Sequence, residues 1–95
     1  MSRKQNFAEQ VKAQSDVWKA QIKDYQEQLE HAGAKAQAEY KKAVAQMEEK
    51  AADASKLVKQ VQAANETAWK DMQTATQRAF AELQKGWADA LSRFR

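Results

Sequence analysis

His31 is the only histidine in this chain, and cysteine is absent. A hydrolytic triad or a histidine-bearing metal site needs partner residues at set spacings. On a helical wheel His31 falls on the polar face, away from the stripe of bulky apolar residues. Glu48 and Glu49 are adjacent, so a helix points them in different directions and they form no carboxylate pair. The Glu-x-x-His spacing that di-iron bundles use does not occur. Gly33 and Gly86 are the two glycines, so no glycine-rich loop exists to cradle a phosphate. Without cysteine there is neither disulfide nor thiolate chemistry. These residues predict no catalytic group, no metal ligand and no cofactor.

What does recur is an interval between aromatic residues. Phe7 and Trp18 are eleven positions apart, and so are Trp69 and Phe80. Two longer rows keep the same step: Tyr25, Ala36, Met47, Val58, Trp69, Phe80, Leu91, and Val61, Met72, Leu83, Phe94. Eleven residues make three turns at about 3.67 residues each, so such positions nearly superimpose on a straight or slightly right-handed helix. The wheel extends the rows into one stripe. Phe7, Val11, Trp18, Ile22, Tyr25 and Leu29 open it. Tyr40, Val44, Met47, Val58 and Val61 continue it, and Trp69, Met72, Phe80, Leu83, Trp87, Leu91 and Phe94 complete it. All eight aromatic residues lie in an arc less than roughly half the circumference. Val17 stands outside it.

The element that positions such a stripe is a helix. The chain has 95 residues, 20 of them alanine, and no proline. Alanine, glutamine, lysine and glutamate favour helix, and nothing forces a turn. The class is all-α. Breaks are conceivable at "HAGAK", which holds Gly33, at "KAADAS" (50–55) and at "AANET". The stripe crosses them without losing phase, which predicts one long, nearly continuous amphipathic helix over residues 1–95, a single coiled-coil domain. The alternative is a helical hairpin turning near residues 62–67, where Asn65 precedes Glu66 and Thr67 in a cap-like order. Unbroken, the helix would measure on the order of 140 Å. It could not bury its own stripe, and helices are stabilised chiefly by packing an apolar face. A coiled coil or helical bundle is therefore expected, formed with another copy, a second arm, a different helical protein or an apolar surface.

Charge narrows the partners. The chain carries 16 basic and 13 acidic residues, for a net charge of +3. The two signs alternate along its length, whereas groove binders gather Lys and Arg on one face or arm. Specific nucleic-acid binding is not expected. No apolar run approaches the ~20 residues of a membrane span, and "MSRKQNFAEQ" lacks the apolar core of a secretory signal. A cytoplasmic protein with no transmembrane segment is the expectation. Trp18, Trp69 and Trp87 would also suit a helix lying in a lipid interface. Against that, Glu30, Glu48 and Glu66 share the flank with Lys12, Lys19 and Lys23, a mixture better matched to salt bridges between helices. Glu66 with Lys70, and Asp89 with Arg93, have the acid-first spacing that supports a helix by tenths of a kcal/mol.

The segments "VKAQSDVWKAQI" (11–22), "AKAQAEY" (34–40), "KL" (56–57), "AW" (68–69) and "ALSRF" (90–94) resemble a group of small bacterial helical proteins described as coiled-coil domain-containing or stress-response proteins. The resemblance implies a stress-associated accessory role without a known enzyme activity, and supplies no site residues. More loosely, the chain is similar to phasins and to apolipoprotein repeats, which coat apolar surfaces. The leading expectation is thus a non-enzymatic, self-associating homo-oligomer with a structural, scaffolding or protective role. A peripheral binder of lipid or storage-granule surfaces is the second.

Overall fold

The structure is a computed structural model and describes residues 3–94. It contains three helices: α1 (Arg3–Glu30), α2 (Ala34–Ala63) and α3 (Glu66–Ser92). The class is all-α, as the composition predicts. The single continuous helix is not what forms. The molecule measures 52 Å along its longest axis, far short of ~140 Å. The two-armed hairpin is not what forms either, because the chain bends at 31–33 as well as at 64–65. The physical reason is the stripe itself. Folding twice lets each third of it cover the other two, so the apolar face leaves water without a second chain.

The two joints are made differently. At the first, Gly33 adopts an extended conformation (φ −67°, ψ 163°) and no side chain caps α2. Space around Gly33 is open and its φ is negative, so the joint does not depend on glycine's freedom. At the second, Asn65 is a side-chain N-cap: its Oδ1 accepts from the Ala68 N–H at 2.8 Å. Asn is among the best residues for this role because it satisfies an orphan N–H of the first turn. Glu66 adds a favourable negative charge at the same end. Among the described residues there is no cis peptide bond and no positive φ. Both turns therefore use ordinary backbone torsions.

Direction follows from paired side chains. Ser15 of α1 meets Ser55 of α2, and Gln26 meets Glu48, so α1 and α2 run antiparallel. Phe7 packs on Trp69, Trp18 on Phe80 and Trp87, and Tyr25 on Phe94. Positions thus advance together on α1 and α3, which are parallel. The backbones of α1 and α2 approach most closely, and those of α1 and α3 hardly at all. Small residues permit the first seam, and aromatic rings span the second.

Candidate functional site

The residues with a functional reading from sequence are those of the stripe, and the structure turns them into the core. Phe7, Val11, Trp18, Ile22, Val44, Met47, Val58, Val61, Trp69, Phe80, Leu83 and Trp87 are buried. Tyr25, Met72, Leu91 and Phe94 are partly buried against them. Leu29 and Tyr40 are half-buried beside the first joint. Among the described residues the only exposed large apolar side chain is Val17, the residue that falls outside the stripe on the wheel. The eleven-residue rows thus mark an interior seam of one chain.

Aromatic rings form a ladder along α1 and α3. Phe7 contacts Trp69 at 5.5 Å between centroids and meets Phe80 edge-on at 6.0 Å. Trp18 follows, tilted against Phe80 at 6.5 Å and stacked on Trp87 at 4.9 Å. The ladder ends on Phe94, which lies between Tyr25 at 4.5 Å and Tyr40 at 4.4 Å. Ring pairs at these separations add about 0.5–1.5 kcal/mol each beyond area burial. Phe94 ties the end of α3 to both other helices, and Arg93 reinforces it by pairing with Glu39 of α2 at 3.2 Å.

One atom of the ladder is unsatisfied. The Trp69 indole Nε1–H is buried and has no hydrogen-bond partner. A buried unpaired donor costs about 1–3 kcal/mol, so the closed bundle holds Trp69 at a penalty. Nearby, the Lys4 ammonium donates to the Ala64 carbonyl at 2.7 Å. That contact meets the partial negative charge at the C-terminus of α2 and ties α1 to the second joint.

Two buried polar residues escape a search for bulky apolar side chains. Ser15 is 2% exposed and Thr76 is 4% exposed. The Ser15 hydroxyl lies 3.5 Å from the Ala51 carbonyl and 3.2 Å from the Ser55 hydroxyl. Thr76 donates back to the Met72 carbonyl at 2.7 Å. Their signal was positional: Ser15 sits between Val11 and Trp18, and Thr76 between Met72 and Phe80, each at helical spacing. Leu57 is also buried, at the rim of the wheel arc.

Elsewhere the polar residues have surface roles. His31 is exposed. Glu48 accepts from Gln26, while Glu49 pairs with Lys50. The acid-first pairs are not the ones that form: Arg93 reaches Glu39 on another helix, and Lys70 with Glu66 is not among the ion pairs of the described residues. Among the described residues no group of three or more His, Cys, Asp or Glu is placed to hold a metal ion, and no helix is long and apolar enough to cross a membrane. Compared with known families, curated proteins and solved structures, the chain matches none.

Proposed function

We propose that this chain is a non-enzymatic helical protein that self-associates by exchanging α3 between copies. The closed bundle is its unassembled form, and Ala64–Asn65 is the hinge. One observation carries the reading: the apolar stripe stays in phase across a joint where the closed bundle does not require it. After a turn, a helix is free to present its core side at any wheel phase, because the turn resets its direction. A straightened α2–α3 helix has no such freedom. Its stripe must be continuous to be covered by one partner, and the buried residues of α2 and α3 share one arc less than roughly half the circumference.

The energetics support exchange over simple opening. Releasing α3 alone would expose Trp69, Phe80, Leu83 and Trp87, each worth about 1.5–3 kcal/mol when buried. A second copy restores the same contacts between chains, which is why helix exchange is an inexpensive route to a dimer. The local cost is small. Asn in a helix interior is disfavoured by about 0.7 kcal/mol relative to Ala, and the lost cap adds about 1 kcal/mol. The joined helix, residues 34–92, would extend about 90 Å, a length suited to a scaffolding or protective accessory role in the cytoplasm. That role also agrees with the resemblance to small coiled-coil stress proteins.

A second reading uses the same open state on an apolar surface, of lipid or of a storage granule. The specific support is Trp69, whose unpartnered N–H would find acceptors at a headgroup boundary. Sedimentation equilibrium over a wide concentration range tests the first reading. A dimer growing with concentration at constant helix content is expected. A strict monomer throughout overturns it. A monomer that cosediments with vesicles through its apolar stripe transfers the function to the surface.

A further inference from the structure

The groove between α1 and α2 has chemistry that neither reading uses. It holds about 230 Å³ and is lined by Lys12, Ser15 and Lys19 of α1 with Ser55 and Lys59 of α2. Asp16 also lines it, so three lysines face one acid there, a local charge of +2. Lys12, Lys19 and Lys59 form no ion pair among the described residues, as holds for most of the chain's lysines, but these three share one concavity. An anion placed in this concavity would meet ammonium groups from both helices.

The two hydroxyls give the site direction. Ser15 is 2% exposed and is within reach of the Ala51 carbonyl as well as of Ser55 Oγ. With the Ser15 proton directed at Ala51, the Ser55 proton is free to turn from Ser15 Oγ toward the groove. An oxygen-rich anion thus meets a neutral donor from α2 and ammonium donors from both helices, the charge-assisted type that is strongest in proteins.

We propose that this groove binds a phosphate group, either free or as part of a phospholipid headgroup. It is built by α1 and α2 alone, so it persists when α3 exchanges and stands independently of the self-association reading. Binding would clamp α1 to α2 at mid-height and leave α3 untouched.

The test is a titration of the full chain with inorganic phosphate, followed by amide chemical shifts at constant ionic strength with chloride as the balancing salt. A saturable shift confined to residues around Lys12, Ser15, Ser55 and Lys59 is expected. The double variant Lys12→Gln, Lys59→Gln should weaken it at least tenfold, while Lys35→Gln, outside the groove, should leave it unchanged. Ser55→Ala should weaken it without altering the fold, which the unperturbed spectrum reports. Non-saturating shifts spread over every lysine-bearing surface, or equal affinity in the double variant, overturn the proposal. Cosedimentation with phosphatidylglycerol vesicles, lost in the double variant, assigns the phosphate to a headgroup. Saturable phosphate binding without cosedimentation assigns it to a free phosphate.

Discussion

The indole planes of Trp18 and Trp87 lie 8° from parallel with their centroids 4.9 Å apart, and this stack joins two helices whose backbones hardly meet. The α1–α3 seam therefore depends on rings. Trp18→Ala removes the contacts to both Phe80 and Trp87, and a loss of about 3–5 kcal/mol is expected in urea unfolding. Lys70→Ala, on the exposed side of α3, should change stability by less than about 0.5 kcal/mol. Near-ultraviolet circular dichroism gives a separate check, because the signal of two coupled indoles should vanish in Trp87→Phe. Equal stability of Trp18→Ala and Lys70→Ala would show that the rings do not hold the seam.

Trp69 behaves differently from Trp18 because its N–H is buried without an acceptor. Trp69→Phe loses ring area but also removes a penalty of about 1–3 kcal/mol. The two terms nearly cancel, so thermal unfolding should place this variant within about 1 kcal/mol of the parent. Trp69→Ala, which opens a cavity, should still cost about 3–5 kcal/mol. A loss on Trp69→Phe as large as that on Trp69→Ala would mean that the indole nitrogen is satisfied in solution.

Much of the fold was legible in the sequence, and the illegible part has a physical cause. Composition alone indicated an all-α chain, and the wheel set exposed Val17 apart from a stripe that is buried or half-buried, while passing over buried Ser15, Leu57 and Thr76. Asn65 was recognisable as a cap because its side chain acts on its own helix, a local effect. Helix length was not recoverable in the same way. A wheel records rotation about an axis and is blind to the axis reversing, so a stripe in phase looks the same folded or straight. Gly33 did mark one conceivable break, but the unbroken phase of the stripe argued against it, and its torsions are open to any residue. The role of the stripe was legible as burial, but which chain buries it depends on two short joints and on distant ring contacts such as Tyr25 with Phe94.

Gly86 offers a prediction of opposite sign. A Cβ built there meets the Cε of Lys50, the far end of a flexible side chain, and that end can move. Glycine inside a helix costs about 1 kcal/mol relative to alanine. Gly86→Ala should therefore raise stability, by about 0.5–1 kcal/mol, with the Gln46 bond to the Gly86 carbonyl retained. A clear drop in melting temperature would show that the stem of Lys50 is held in place.

Lys4 ties α1 to the second joint through the Ala64 carbonyl. Lys4→Met keeps the aliphatic stem and removes the charged donor. The expected cost is about 1.5 kcal/mol, the lower end for a charge-assisted bond because the site is only partly buried. Added salt should shrink the difference between variant and parent. An unchanged unfolding midpoint at low salt would refute the tie.

The hinge at Ala64–Asn65 is the centre of the functional account, and proline tests it directly. Asn65 has φ −78° and Ala64 has φ −76° with ψ 138° in the closed turn. Both fit a proline at 65 and the residue before it, whereas proline in the middle of a straightened α2–α3 helix costs about 3 kcal/mol. Either substitution removes the Asn65 cap, but alanine, unlike proline, favours the continuous helix. Sedimentation equilibrium of the parent, Asn65→Ala and Asn65→Pro at matched concentrations therefore measures exchange itself. The account predicts more dimer than the parent for Asn65→Ala, and a folded, helical monomer for Asn65→Pro. Dimerisation of Asn65→Pro as strong as that of the parent, or three monomers, would contradict it.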